Sequence, residues 1–301
     1  MRTEIEVNSA EQMITMGADL VYAQKPYWCG AGFYPLKMSL LRPRAFFEYD
    51  DKTAPMPVIV WLCGGGWTET EHNVWIPELT YFAKHGFCVA SVAYSLSPTW
   101  FFPEPVIDIK QAIRFLRAHA EQFHIDPERI AVMGESAGAH FAAITAASSG
   151  KPEWEKGEYL EYSSSVQAAV AWYTPVNMAD LEGRGEVESY RTRPQNLTCG
   201  LEYEPQSISA GVLHVRDHDK LCREMDPRTY IDGDTPPFML LHGTGDTLID
   251  ISNSEALYRS LQEAGVRSDL LVIKGAEHGD QAFIQPCVKD RIIQFLREVM
   301  Q

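Results

Sequence analysis

The stretch RIAVMGESAGAHFAAITAA, residues 129 to 147, decides the fold. Its first part, Ile130 to Met133, is a short β-branched apolar run and reads as a buried strand. Its last part, Ala139 to Ala147, is a run of small residues and reads as a helix. Between them stands Gly134-Glu135-Ser136-Ala137-Gly138. A serine in such a strand-to-helix turn must take up a strained backbone, and the flanking glycines are there because side chains would collide with the neighbouring strand and helix. The turn lifts the Ser136 hydroxyl to the C-terminal edge of a sheet, beside a helix N-terminus with its backbone donors and positive dipole. Ser136 is therefore the candidate nucleophile.

A serine hydroxyl reacts only if a base takes its proton, and the base needs an orienting carboxylate. Both have candidates downstream. The apolar run Pro237 to His242 leads into Gly243-Thr244-Gly245-Asp246, and the run Asp269 to Lys274 leads into Gly275-Ala276-Glu277-His278-Gly279-Asp280. Asp246 and His278 thus fall on loops at the same sheet edge as Ser136. Asp250 competes with Asp246 for the acid's role from the same loop but has the longer reach. His242, at a strand end, reads as a structural hydrogen-bonding residue, and Glu135 and Asp280 as neighbouring or solvated carboxylates. Upstream, the strand Val58 to Cys63 runs into Gly64-Gly65-Gly66-Trp67. Three consecutive glycines after a buried strand let the backbone approach a ligand and turn its N–H groups toward it, as an oxyanion-binding loop requires.

Outward from these motifs the chain alternates short hydrophobic runs with amphipathic stretches, the pattern of βαβ units over a mostly parallel sheet covered by helices on both faces. Further strands are expected at Phe87–Tyr94 and Val166–Tyr173, and helices at Val106–Phe123, Ser252–Ala264 and Val288–Val299. In the first of these helices Val106, Ile109, Ile113, Leu116 and Ala120 form the stripe that packs on the sheet, with Lys110 and Arg114 lying elsewhere. Among the first 50 residues only the alternation Leu36, Met38, Leu40 suggests antiparallel edge strands. Residues 176–235 break the rhythm and read as an inserted cap or lid. Candidate triad residues lie on both sides of that insertion, so residues 1–301 are expected to form one α/β domain around it.

The chain has 301 residues, 26 Lys plus Arg against 41 Asp plus Glu, and a formal net charge of -15. That balance argues against nucleic acid as a partner. No apolar run is long enough for a membrane span, and Glu4, Glu6 and Glu11 interrupt the region where a signal peptide needs an apolar core. The expectation is a cytoplasmic enzyme without a membrane partner; a homodimer stays open. The six cysteines form no CxxC pair, and most are read as reduced, buried small hydrophobes. His214 and His218, with Cys222 nearby, lack the glutamate of HExxH and read as a solvated polar segment; no metal site is expected. Arg184, Arg191 and Arg193 pair most simply with Glu182, Glu186 and Glu188. Trp67, Trp75, Trp100, Phe101 and Phe102 lie on loops near the candidate site, and Trp67 and Trp100 are taken as substrate-contacting residues.

Through PVIVWLCGGGW, VASVAYSLSP, the segment ending in RIAVMGESAG, PPFMLLHGTGD and GAEHGD, the chain resembles the α/β-hydrolases of the hormone-sensitive-lipase and carboxylesterase type. Within these it is most similar to the bifunctional feruloyl and acetylxylan esterase-like branch. The resemblance implies Ser136 as nucleophile, Asp246 as acid and His278 as base, with the N–H groups of Gly65, Gly66 and Ala137 holding an oxyanion. It also implies that no metal or organic cofactor is needed, and that the substrates are short acyl or hydroxycinnamoyl esters, carbohydrate esters among them. A formamidase or amidase on the same triad, and a non-catalytic small-molecule receptor, are the competing readings. Two positions depart from the family pattern: Cys63 replaces the usual histidine before the glycines, and Tyr94-Ser95 replaces Tyr-Arg. A thiol is a weak hydrogen-bond donor, so the support of the glycine loop is the point in question.

Overall fold

A computed structural model describes residues 1–6, 12–27, 30–43, 54–96, 99–178 and 219–301. Eight strands form one sheet in the order β1-β2-β4-β3-β5-β6-β7-β8. They are β1 (Ile14–Tyr27), β2 (Gly32–Pro43), β3 (Met56–Leu62), β4 (Cys88–Val92), β5 (Ile125–Glu135), β6 (Ala168–Trp172), β7 (Phe238–Gly243) and β8 (Ser268–Ile273). From β4 to β8 every neighbouring pair is parallel, whereas β1 and β2 are antiparallel and extend one side of the sheet. The helices that cover it are α1 (Ile76–Lys84), α2 (Glu104–Ala118), α3 (Ala137–Ala147), α4 (Ser252–Glu263) and α5 (Pro286–Val299). This is the α/β-hydrolase architecture expected from the motif order.

Burial explains why the central strands carry no polar alternation. Val58, Val60 and Leu62 of β3 pack into a cluster with α2, α3 and α4, while Ile59 and Trp61 pack on the opposite face with α1 and α5. Both faces of the strand are therefore dry, and an uninterrupted apolar run is what such a position selects.

Three elements differ from expectation. β1 spans 14 residues of a segment with no readable period. Its register slips between Gly17 and Leu20, where Asp19 has φ of 55°, and again between Val21 and Ala23, so inward-facing positions lose their spacing of two. Helix α1 also lacked a signal: only Leu79, Phe82 and Ala83 of its nine residues are buried. The stretch expected as one helix from Val106 to Phe123 is broken at His119. Its Lys110 and Arg114, placed by periodicity away from the sheet, are fully buried. Lys110 Nζ donates to the Ser148 carbonyl at 3.0 Å and to Glu155 at 2.9 Å, and Arg114 donates to Glu155 and to the Glu158 and Lys156 carbonyls. Segment 148–165 covers the face that periodicity assigned to water. Of the expected cap at 176–235, residues 179–218 lie outside the described residues, as do Arg184, Arg191, Arg193, His214 and His218. Residues 219–235 contribute two short helical turns, Asp219–Glu224 and Pro227–Tyr230.

A tight backbone contact sits under the serine turn. A Cβ on Gly138 would stand 2.1 Å from the Leu62 carbonyl oxygen, and one on Gly134 would stand 2.6 Å from the Gly138 backbone. Backbone cannot step aside as a flexible side chain can. Gly138→Ala is accordingly expected to lower unfolding stability by about 2 kcal/mol or more, in the range of overpacked cores, measured from the urea midpoint at unchanged slope.

Candidate active site

Ser136 follows the last residue of β5 with φ of 52° and ψ of -123°, a conformation L-residues rarely adopt. Its N–H donates to the Trp172 carbonyl at the end of β6, at 3.0 Å. That bond fixes the turn and leaves the hydroxyl standing above the sheet edge. Ala137, the first residue of α3, has an N–H that no carbonyl of its own helix can accept.

The loops after β7 and β8 converge on this hydroxyl. His278 Nε2 lies 3.0 Å from Ser136 Oγ, and His278 Nδ1 lies 2.8 Å from Asp246 Oδ2. The other oxygen of Asp246 accepts the Leu248 and Ile249 N–H groups at 3.0 and 2.8 Å. Burial by itself would raise the pKa of Asp246, but the hydrogen bonds from His242 and His278 and the Ile249 N–H outweigh it. Together they hold the carboxyl well below the usual carboxylate range. His242 Nε2 stands 2.9 Å from the Ile249 carbonyl and 3.3 Å from Asp246 Oδ2, while its Nδ1 meets the Ser254 hydroxyl at 2.7 Å. With Nε2 facing two acceptors, His242 is a donor toward Asp246. The strand-end histidine is thus a hydrogen-bonding residue, as its position suggested, and the partner the sequence did not reveal is Asp246. Asp250 is committed elsewhere, accepting the Ser252 N–H at 3.0 Å where α4 begins.

The glycine loop lies on the other side of the hydroxyl. Gly65 and Gly66 have φ of 129° and 56°, and a Cβ on Gly65 would stand 1.6 Å from the Glu69 carbonyl oxygen. The Gly65 carbonyl accepts the Thr68 and Glu69 N–H groups, turning the loop back on itself. Among the described residues no protein acceptor faces the Gly65 or Gly66 N–H. The loop is held from two sides: Tyr94 donates its hydroxyl to the Cys63 carbonyl, and the Glu135 carboxylate accepts the Gly64 N–H. Cys63 is buried, with its thiol pushed up to about 12 by burial and by the nearby Glu135 charge. It is a poor nucleophile, as a strand-end cysteine usually is.

The two tryptophans expected at the substrate part company. Trp67 is buried under the loop, its indole N–H donating to His140 Nδ1 at 3.1 Å, and it acts as a strut beneath the glycines. Trp100 is half-buried at the same sheet edge, 4.9 Å from Tyr34 and 6.0 Å from Tyr27, the latter two exposed at the tip of the β1–β2 hairpin. Trp75 packs in the core against Trp61 and Trp172. Among the described residues no cluster of three or more His, Cys, Asp or Glu is placed to hold a metal ion, and no helix is long and apolar enough to cross a membrane.

The BD-FAE family model matches residues 46–261. The chain belongs to the BD-FAE family of α/β-hydrolase esterases. That match contains the glycine loop, Ser136 and Asp246; His278 lies beyond it. Esterase LipQ of Mycobacterium tuberculosis is 29% identical over 212 residues, which cover 69% of this chain and 46% of that protein. The chain spans about half the length of the curated relatives it matches. Among solved structures, a truncated carbohydrate esterase from gut microbiota superposes with a TM-score of 0.72 at 21% identity, covering 97% of this chain and 98% of that one. An acetyl ester-xyloside bifunctional hydrolase from Caldicellulosiruptor lactoaceticus superposes with a TM-score of 0.71 at 20% identity, covering 94% and 95%.

Beneath Trp67, His140 has its titration fixed by geometry. Its Nδ1 faces the indole N–H and its Nε2 donates to the Met225 carbonyl at 2.6 Å, so the ring must stay neutral. Burial lowers its pKa from 6.5 to about 4. Between these values the unfolded chain takes up a proton that the folded chain refuses. Stability is complete above about pH 6.5 and falls as the pH drops toward 4, by about 3 kcal/mol in all. Urea midpoints of wild type and His140→Gln measured from pH 4 to 7 should show a shallower acid slope in the variant.

Proposed function

We propose that the protein is a serine carboxylic-ester hydrolase working through an acyl-enzyme, and the chain of contacts from Asp246 through His278 to Ser136 carries that reading. His278 Nε2 takes the Ser136 proton as Oγ attacks the ester carbonyl. Asp246, kept anionic by its donors, stabilises the imidazolium that forms. The carbonyl oxygen becomes an oxyanion and is stabilised by the Gly65, Gly66 and Ala137 N–H groups, which face no competing protein acceptor among the described residues. His278 then protonates the departing alcohol. A water, deprotonated by the same imidazole, cleaves the acyl-enzyme and returns Ser136. No step requires a cofactor.

For substrate class, short acyl or hydroxycinnamoyl esters of carbohydrates fit best. The carbohydrate esterase and the acetyl ester-xyloside bifunctional hydrolase of similar fold support the alcohol part. So does the Trp100, Tyr34 and Tyr27 cluster, whose rings offer apolar faces to a sugar. Tyr34 lies on β2, three strand positions from β5 in the sheet order. At about 4.8 Å per strand this places the cluster roughly 14 Å across the sheet from Ser136, a span suited to an oligosaccharide and too long for a monosaccharide ester.

Ser136→Ala should lose about 10,000-fold or more in kcat on p-nitrophenyl acetate, and a phosphonate ester should label Ser136 alone by peptide mass analysis. Labelling of another residue would refute the assignment. Parallel rates on methyl ferulate and N-formylkynurenine separate ester from formamide hydrolysis. Trp100→Ala should reduce kcat/KM on acetylated xylo-oligosaccharides about fivefold more than on p-nitrophenyl acetate, the equivalent of one aromatic contact. An equal effect on both substrates would remove the cluster from the binding surface.

A further inference from the structure

Glu135, the residue before the candidate nucleophile, is a buried carboxylate for which the steps above have no use. Its surroundings consist of donors. The Gly64 N–H donates to Oε1, and the Cys63 thiol stands 3.8 Å from the same oxygen. The Trp75 indole and the Tyr173 hydroxyl lie beside the group and favour its charged form, although the Tyr173 hydroxyl makes no well-formed hydrogen bond of its own. A Cβ on Gly64 would come within 2.5 Å of Oε1. The fit is close enough that only glycine leaves room for the carboxylate under the loop.

Beside this carboxylate, the Tyr173 ring packs edge-on against the His278 imidazole at 4.4 Å. Charged and titratable groups therefore meet here from every packed element: Cys63 after β3, Tyr94 after β4, Glu135 ending β5, Tyr173 after β6, Asp246 after β7 and His278 after β8. Burial raises the pKa of Glu135, opposed first by the Gly64 N–H and then by His278.

We propose that Glu135 is a positioning residue for the ester hydrolysis inferred above: its carboxylate anchors the glycine loop through Gly64, next to a position 63 whose thiol is too weak a donor to hold the loop by itself.

Three substitutions separate anchor from charge. Glu135→Gln keeps an acceptor for the Gly64 N–H and removes the charge. Glu135→Asp keeps the charge and withdraws the acceptor by one methylene, and Glu135→Ala removes both. The expected kcat order on p-nitrophenyl acetate is Gln above Asp and Ala, with Ala lowered roughly 30-fold and KM little moved, because a loosened oxyanion loop weakens the transition state selectively. The loss in Glu135→Ala should fall on kcat and not on KM, and Glu135→Gln, which restores the acceptor, should recover most of it. Wild-type kcat in Glu135→Ala, or a Glu135→Gln no more active than Glu135→Asp, overturns the proposal. If Glu135→Ala shows no cooperative thermal transition, the Gln and Asp pair decides by the same order of kcat. Since the proposal rests on the serine-esterase reading, Ser136→Ala is assayed alongside: retained activity there overturns the underlying mechanism, whereas its loss with wild-type behaviour at position 135 overturns the role of Glu135 alone.

Discussion

The contact between Gly138 and the Leu62 carbonyl sets the spacing of everything above it. A methyl group there would stand 2.1 Å from the carbonyl oxygen, so the serine turn can approach the end of β3 only because position 138 carries none. That approach brings two backbone segments to one point: the first turn of α3 with its unpaired N–H groups, and the glycine loop that continues β3. Neither segment alone offers more than scattered donors. Held together by the sheet, they present amides from two directions to the space beside one hydroxyl. The φ of 52° at Ser136 is maintained by the surrounding sheet, chiefly through the bond from its N–H to Trp172.

Around this scaffold the two buried carboxylates are treated in opposite ways. Asp246 receives two backbone N–H groups and faces two imidazoles, and its acidity is strengthened despite burial. Glu135 has one backbone donor, and burial wins. The difference follows from donor count in a dry environment, where each hydrogen bond to an anion is worth more than in water but an incomplete set does not repay desolvation. Asp246 is thereby suited to remain an anion beside a ring that changes charge. Glu135 remains sensitive to what surrounds it.

The motifs were legible in the sequence because each rests on a backbone requirement that few residues satisfy. Gly134 and Gly138, Gly64 to Gly66, and the turns leading to Asp246 and His278 all mark places where a side chain cannot fit or a strand must stop. The central strands were legible for a related reason, since burial on both faces leaves only apolar residues. What escaped was set by partners distant in sequence. β1 is bulged twice and finds its register only against β2, and the covering of Lys110 and Arg114 depends on Glu155, more than 40 residues on. His242 looked like a strand-end residue because nothing local says that its Nε2 meets Asp246. Trp67 reads as a substrate contact on a loop beside the site, but the loop's positive φ at that residue, 65°, turns the ring inward onto His140.

Cys63 shows how a departure from a family pattern can leave the geometry intact. A histidine before the glycines would support the loop with its own side chain. The thiol at this position is a weak donor and, at about 12, stays protonated. The loop is held from neighbouring strands: Tyr94 from the end of β4 holds the Cys63 carbonyl, and Glu135 from the end of β5 holds the Gly64 N–H. Both supports grip backbone atoms, and a backbone atom is present whichever residue occupies position 63. The loop can therefore lose its histidine without losing its shape. In exchange it rests on a carboxylate adjacent to Ser136, so the backbone that follows β3 and the turn that follows β5 are tied together by one side chain.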